Sequence, residues 1–519
     1  METTIRFRLG VMDWSVVFVY FAVMTIVGLY IRQRQKAQCF DEYYLASRRL
    51  GVPILVATFV STFYGLGSIF GTAEVGFSQG MSAFFALSLP YTLMYILMAL
   101  MAPRFRELSP RTISDIIGEA YGRFPSVITA ICSFIYSTNT MELLGAGFVF
   151  SLAFSAPLWV GVLAATLVSV GYTYAGGLWA DCATDLIQFF LMSISLGLLL
   201  FISWNALGGF ANVYAGLRAY TGTDPWFYFH PLGGYLTPGL IVAYSLTSLA
   251  VLCEPSFFQR IFASKSSRQA RTALLIATPI WASTDWACAI LGLLAASAVG
   301  LGLIPQPRGD QALLALISAY APPGIMGVFL AGLLATAMST ADSYYLISAG
   351  NLAYDIYRPL FAPSATDREL LGLARSGVLI SAALSFALAF VFEKIMGVWV
   401  FQASIMINTV LIPLYAAVLF RRSGKPFFSP LAGVFSTAVG LFGTVVYYVL
   451  VTAFGGPSEE WGTVIWNVSL GGKTYALWQE YGIFLIPPFV LVAYVAGACL
   501  DKRGRREISR PRGLRGVRV

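Results

Sequence analysis

The sequence has few charged residues and a single histidine, and each shortage excludes a class of protein. Charged residues make up 11% of the 519 positions, against about 25% in a typical soluble domain. The one histidine, His230, lies in an expected external loop, which excludes haem sites held by two histidines, HExxH zinc sites and Ser-His-Asp triads. The six cysteines lack the paired spacing of a metal site or a disulfide framework. We therefore expect a protein that is not an enzyme.

The chain contains many long apolar runs. Hydrophobic residues make up 58% of the sequence, and a helix needs roughly 20 apolar residues to cross about 30 Å of hydrocarbon. Such runs recur along almost the whole chain. We predict an all-α integral membrane protein with about 13 transmembrane helices in a lipid bilayer. The predicted spans are 11–32, 51–73, 80–102, 124–153, 157–178, 183–205, 238–263, 272–303, 322–357, 371–393, 395–420, 428–453 and 482–500.

The positive charge lies almost entirely on one side of the predicted membrane. The net charge is +8, and 27 of the 33 lysines and arginines fall in or beside alternate loops and the tail 501–519. Because basic loops stay on the cytoplasmic side, this bias predicts an external N-terminus and a cytoplasmic C-terminus in the plasma (inner) membrane. The basic tail is then a topology anchor near anionic lipid, and no nucleic-acid partner is expected.

Two of the predicted spans contain residues that interrupt helices. Positions 63–74 read FYGLGSIFGTAE, with Gly65, Gly67 and Gly71 inside an apolar run, and each glycine costs a helix about 1 kcal/mol relative to alanine. The seventh span has Glu254-Pro255 at its centre, where proline removes a backbone donor. We predict broken helices at spans 2 and 7, although a proline kink in an ordinary membrane helix is an alternative for the second.

The positions of the two breaks predict an internal repeat. Transporters often consist of two inverted halves whose broken helices meet near the middle of the membrane. Spans two to six and seven to eleven form two such five-helix units in a 5+5 arrangement. The predicted division is 1–50 for an extra N-terminal helix and internal loop, 51–205 and 238–420 for the two repeats, 206–237 for an external loop, and 421–519 for two C-terminal helices and the basic tail.

Span nine carries the richest group of polar side chains. Four hydroxyl residues at spacings of three, one and three share one helix face, with Asp342 at its edge. Hydroxyl oxygens can bind a small alkali cation, supplemented by backbone carbonyls freed where a helix unwinds. Alternatively, the hydroxyls bond back to carbonyls of their own helix. The four residues are Thr336, Ser339, Thr340 and Ser343.

Acidic residues at membrane depth are further candidates. Asp185 is a possible ion ligand, because a carboxylate attracts a cation strongly in a medium of low dielectric constant, or it caps the span that it opens. Glu142 lies in span four. Glu254, beside the breaking proline, either contacts the solute or is a structural acid bonded to freed backbone donors.

Four motifs together resemble the sodium:solute symporter family. They are the MST-x-DS…DIYR segment (Met338–Arg358), the GG-L…TD-x-x-Q segment (Gly176–Gln188), the QR-x-x-x-S segment (Gln259–Ser264) and GTAE in span two. Their order over about 50–425 is that of the family. The resemblance implies the LeuT-like inverted-repeat fold, and the motifs are most similar to the high-affinity choline transporter branch.

The resemblance also implies ion sites. The family's common sodium site corresponds here to the carbonyls of Ser61 and Tyr64 and the hydroxyls of Ser339 and Thr340, with the Thr336 carbonyl as a fifth ligand. A second sodium site of some members corresponds to a set that includes an aspartate where a hydroxyl is usual. That set is Asp185, Ser339, Asp342 and Ser343.

For the solute, the resemblance implies an aromatic cage that holds a cation by cation–π attraction. Phe63, Tyr91 and Trp399 are aromatic at cage positions, whereas Gly145 and Glu254 replace two tryptophans. We predict a sodium-coupled symporter that imports a small organic solute, cationic or zwitterionic, with Glu142 and Glu254 among its contacts; no oligomer is required. A proton-coupled transporter of the same fold and a transporter-like membrane sensor are the alternatives.

Overall fold

A computed structural model describes most of the chain. The described residues are 7, 9–34, 37–138, 140–230, 237–390, 395–422, 425–426, 429–458 and 463–501. The predicted basic anchor therefore lies outside the described residues except for its first position, Asp501. Helices dominate the described part, as the apolar composition predicts.

The first half of the chain, up to the long external loop, is helical apart from short connections. A π-helical turn, Phe84–Ser88, leads into the fifth helix. The helices are α1 Val11–Arg34, α2 Phe40–Leu45, α3 Val52–Phe63, α4 Leu66–Gln79, α5 Leu89–Glu107, α6 Ile113–Tyr121, α7 Arg123–Tyr136, α8 Thr140–Phe154, α9 Leu158–Leu207, α10 Phe210–Thr221 and α11 Trp226–Phe229.

The second half adds helices and two small antiparallel sheets. Its helices are α12 Pro238–Thr247, α13 Pro255–Ala263, α14 Ser267–Gly300, α15 Ala312–Tyr320, α16 Ile325–Gly350, α17 Arg358–Phe361, α18 Asp367–Leu388, α19 Ile395–Met406, α20 Ile412–Leu419, α21 Pro430–Phe454, α22 Gly482–Leu485 and α23 Pro487–Leu500. The strands are β1 Arg421–Arg422, β2 Lys425–Pro426, β3 Gly456–Ser458, β4 Thr463–Leu470 and β5 Lys473–Trp478, with β1 pairing β2 and the order β3-β4-β5 in the second sheet.

The number of membrane-crossing helices is close to the prediction. Within the described residues, 11 helical segments are long and apolar enough to span a bilayer, and the bent pair α3 and α4 makes a twelfth. The predicted spans 157–178 and 183–205 lie together in α9, which has 50 residues. The chain leaves the helical conformation at Gly177, where φ is +61°, so α9 consists of two helices that meet at a kink.

Both predicted interruptions are present in the structure. The axes of α3 and α4 differ by 57°, because Tyr64 and Gly65 leave the helical conformation. In the seventh span, α12 gives way to a 3-10 segment, Ser248–Cys253, and to an extended Glu254 before α13 begins at Pro255. Proline at the first helical position loses no hydrogen bond, since that N–H has no partner within the helix.

Helix α16 runs through the centre of the protein. It packs against α9, α8, α3 and the N-terminal helix α1, and every residue from 329 to 350 is buried. A helix that is apolar on every face is typical of a protein interior, where other helices cover all of its sides. The broken pair α3 and α4 packs against α9, α14 and α16, so the break of span two faces the polar residues of span nine.

We predict that Gly65 is required for the close approach of Glu142 to the break. A Cβ at position 65 would overlap the Glu142 carboxylate, so Gly65→Ala should lower the free energy of unfolding by about 1–3 kcal/mol. The measurement is the thermal unfolding midpoint of the detergent-purified protein. Gly51→Ala is the matched control, because Gly51 precedes α3 with the same extended backbone and has no atom within 4 Å of the added Cβ. Equal midpoints for the two variants would contradict the prediction.

Candidate ion and solute site

Four oxygen atoms meet where the broken second span contacts α16. The Ser339 hydroxyl lies 2.9 Å from both the Ser61 and the Thr336 carbonyl oxygens. The Thr340 hydroxyl lies 3.4 Å and 3.3 Å from the same two carbonyls. Each hydroxyl has one proton and can donate to only one carbonyl at a time, so the group has more acceptor than donor capacity. Such an oxygen cluster can coordinate a hard monovalent cation.

Two other residues of the expected sodium set take different positions. The Thr336 hydroxyl bonds back to the Gly332 carbonyl at 2.8 Å, so Thr336 joins the cluster through its carbonyl alone. Tyr64 lies in the break itself, and its hydroxyl donates to Cys288 Sγ at 3.1 Å. Among the described contacts, none joins the Tyr64 carbonyl to the other four oxygens.

A second polar cluster surrounds the buried guanidinium of Arg260. Arg260 Nη2 lies 3.0 Å from Asp181 Oδ2 and 3.6 Å from Asp185 Oδ2. It also donates to the Ser343 hydroxyl at 2.6 Å. The side chains of Thr58 and Thr62, on α3, bond to both Arg260 and Asp185. The structure thus brings Asp185 and Ser343, two members of the expected second sodium set, into one cluster in which both contact Arg260.

Two further residues of the second sodium set, Ser339 and Asp342, are also buried on α16. Ser339 belongs to the first oxygen cluster. Asp342 and Ser343 are adjacent on α16 and therefore project about 100° apart around its axis.

Six aromatic rings pack together beside the break of span two. The three expected members contact one another: Phe63 and Tyr91 have ring centroids 6.1 Å apart, and Trp399 Nε1 donates to the Tyr91 hydroxyl at 2.9 Å. The sequence analysis missed the other three, Tyr95, Phe257 and Trp281. Tyr95 follows Tyr91 by one helical turn, a spacing that could have identified it.

The two added polar rings have unused hydrogen-bonding capacity. Tyr95 and Trp281 pack with ring centroids 4.3 Å apart and planes tilted by 43°, and both are buried. The Tyr95 hydroxyl and Trp281 Nε1 have no hydrogen-bond partner among the described residues. An aromatic cluster with unused polar atoms can hold a small organic ligand by its faces and orient it by hydrogen bonds.

Each candidate glutamate lies at the start of the second half of a broken span, Glu142 from the neighbouring helix α8 and Glu254 from span seven itself. Both Glu142 carboxylate oxygens lie 3.4 Å from the Gly67 amide, in the first turn of α4. Glu254 precedes α13 and accepts from the Ser256 amide at 3.3 Å. Glu254 also accepts from the Tyr344 hydroxyl at 3.1 Å. Each acid therefore caps the second half of a broken helix, which matches the structural alternative for Glu254.

Gly145, one of the two positions without a cage tryptophan, serves helix packing. A Cβ at Gly145 would come within 2.8 Å of the Leu66 Cβ. The glycine therefore lets α8 lie close against α4, and this contact holds Glu142 of the same helix at the break.

The chain is similar to known membrane transporters. A model of the sodium:solute symporter family matches residues 43–422. The high affinity choline transporter 1 of Homo sapiens is 25% identical over 459 residues, which cover 82% of this chain and 75% of that protein. The osmoregulated proline transporter OpuE of Bacillus subtilis (strain 168) is 24% identical over 384 residues, 72% of this chain and 76% of that protein.

The fold is also that of a solved transporter. The structure of a Na+-coupled sialic acid symporter, in a substrate-bound outward-open state, matches with a TM-score of 0.72 and 15% sequence identity, covering 94% of this chain and 97% of that one. The predicted LeuT-like fold class is thereby confirmed. Because the family model covers well over half of the chain, the protein belongs to the sodium:solute symporter family and is a membrane transporter, not an enzyme.

Proposed function

We propose that the protein is a sodium-coupled symporter that imports a small organic solute by alternating access. The observation that carries this proposal is the oxygen cluster formed by the Ser61 and Thr336 carbonyls with the Ser339 and Thr340 hydroxyls. Relatives named as choline and proline transporters support a small organic solute. The similarity in fold to a Na+-coupled symporter is consistent with sodium as the coupling ion.

In this mechanism, sodium connects the broken second span to α16. The hydroxyls of Ser339 and Thr340 turn their protons away and offer lone pairs, and the Ser61 and Thr336 carbonyls complete the set, with the Tyr64 carbonyl as a fifth ligand. The ion then favours the conformation in which the break and α16 are held together. Coupling requires such a preference, because a ligand that binds all conformations equally shifts none of them.

The solute is proposed to bind beside the ion. Phe63, Tyr91 and Trp399 provide aromatic faces, and Glu142 and Glu254 provide carboxyl groups at the breaks of spans two and seven. Because Phe63 directly follows the ion-binding turn of α3, occupation of the sodium site orders one wall of the solute site. This arrangement makes binding of the two ligands mutually favourable.

A second cation is proposed at the Arg260 cluster. The two carboxylates of Asp181 and Asp185 share one guanidinium, so the buried group has one negative charge in excess when both are ionised. A buried uncompensated charge is costly, and either a second sodium ion near Asp185 and Ser343 or a proton would neutralise it. This excess is the observation that favours proton coupling as the alternative function.

The cellular arrangement is part of the proposal. The excess of basic residues in alternate loops supports insertion in the plasma (inner) membrane with an external N-terminus and a cytoplasmic C-terminus. Residues 51–205 and 238–420 are the two inverted repeats, and each opens with one of the broken spans. No contact within the proposed site requires a second copy of the chain.

Sodium coupling is testable in proteoliposomes. An inward sodium gradient should drive solute uptake, and Ser339→Ala should raise the half-saturating sodium concentration roughly tenfold, or about 1.4 kcal/mol, because one oxygen ligand is lost. Ser348→Ala is the matched control: its buried hydroxyl, on the same helix, donates to the Ser137 carbonyl at 2.7 Å away from the oxygen cluster. Uptake that ignores sodium and follows the pH gradient would instead establish the proton-coupled alternative.

The charge of the Arg260 cluster gives a second prediction. Arg260→Gln leaves two buried carboxylates unpaired and should lower the free energy of unfolding by about 3–5 kcal/mol. The double variant Arg260→Gln/Asp181→Asn restores an excess of one negative charge and should regain a large part of the loss. Arg308→Gln is the control, because its ion pair with Asp310 is half-exposed and should contribute at most about 1 kcal/mol. Thermal unfolding in detergent measures the stability of all three variants. A double variant that is no more stable than Arg260→Gln would refute the charge argument.

A further inference from the structure

The N-terminal ends of both half-helices are filled by carboxylates of the protein itself. Glu142 lies against the first turn of α4 and Glu254 against the first turn of α13. The first N–H groups of any helix lack partners within the helix and carry partial positive charge. In transporters with interrupted helices, these half-helix ends commonly bind the anionic group of the substrate. Here neither end is available to an anionic ligand.

The backbone around Glu142 is shaped for its carboxylate. Gly65 precedes α4 and provides no side-chain cap, and a Cβ there would overlap the Glu142 carboxyl group. The acid is buried at 2% exposure. Glu142 therefore occupies the space in which a ligand carboxylate would otherwise meet the Gly67 amide.

Within the described residues, no buried cationic side chain is free to receive a ligand carboxylate. Arg260 is the only buried lysine or arginine of that part of the chain, and Asp181 and Asp185 already pair with it. The second carboxylate oxygen of Glu254, Oε2, has no hydrogen-bond partner in the described part of the chain. Buried acidic side chains thus outnumber buried basic ones in the described residues.

The aromatic cluster favours the same kind of ligand as the acidic side chains. Phe63 lies between Tyr95, Phe257 and Trp281, with ring centroids 5.0 to 6.0 Å away. Aromatic faces attract cations and do not attract carboxylates. The glutamate caps and the aromatic rings therefore both favour a cation over a carboxylate.

We infer that Glu142 and Glu254 make the site selective for an organic cation that has no carboxylate group. A zwitterionic amino acid is rejected because its carboxylate would meet two glutamates and no free donor at the half-helix ends. The inference rests on the proposed function, since it names the class of solute that the same site accepts.

Matched pairs of ligands test the inference directly. Choline and glycine betaine share a trimethylammonium group, and pyrrolidine and proline share a ring; in each pair only the second compound carries a carboxylate. Binding to the full-length protein in detergent is measured by thermal shift over a range of ligand concentrations, with and without sodium. We expect the amine of each pair to bind about tenfold or more tightly than its carboxylate partner, since like charges brought together penalise the wrong ligand.

A variant of Glu142 tests whether this acid causes the selectivity. Glu142→Gln keeps an acceptor for the Gly67 amide and removes the charge, so the preference for the amine should fall at least about threefold. Glu480→Gln is the control, because Glu480 is also buried but follows β5, outside both broken spans. A cooperative thermal unfolding transition of Glu142→Gln, with a midpoint close to that of the wild-type protein, verifies that the variant is folded.

The possible results separate this inference from the proposed function. Equal or tighter binding of proline or glycine betaine by the wild-type protein overturns the selectivity, even if uptake is sodium-dependent. An unchanged preference in a folded Glu142→Gln variant overturns the role of Glu142. If the protein prefers the amines but sodium changes neither binding nor stability, the inference stands and the proposal of sodium coupling is wrong.

Discussion

The hydrogen bond from the Ser339 hydroxyl to the Ser61 carbonyl is the interaction on which the rest of the site depends. An unpaired backbone group at membrane depth costs several kcal/mol, so a membrane helix can be interrupted only where other groups satisfy the freed carbonyls and amides. At the break of span two, hydroxyls of α16 meet the carbonyl of Ser61 and the carboxylate of Glu142 meets the amide of Gly67. The break and its partners must therefore be present together.

The same constraint explains why the site combines small residues with buried charge. Gly65 and Gly145 bring α8 close to α4, and the resulting contact places Glu142 at the helix end. On the other face of α3, Thr58 and Thr62 bond to Arg260 and Asp185. The broken span thus has a carboxylate cap on one side and a guanidinium with two carboxylates on the other. Movement of α3 relative to α16 would alter the hydrogen bond from Ser339 to Ser61 and the contact between the Thr62 and Ser343 hydroxyls.

The sequence pattern missed contacts that depend on distant parts of the chain. Arg260 lies near the inner end of span seven and was counted with the cytoplasmic charges, yet it pairs with Asp181, 79 residues earlier. Phe257 and Trp281 are ordinary aromatic residues of membrane helices until the fold brings them against Phe63. Each of these contacts depends on which helix faces which.

The sequence by itself determined the mainly helical membrane fold, the two breaks and the hydroxyl face of span nine. These features follow from local physics: the length of apolar runs, the helix-breaking effect of glycine and proline, and the 3.6-residue period. The two small sheets were not predicted. Only the tertiary structure decided that Glu142 caps α4 and that Arg260 pairs with Asp181 and Asp185. Those contacts join residues far apart in the chain, and their distances depend on the packing and rotation of whole helices, which no local pattern specifies.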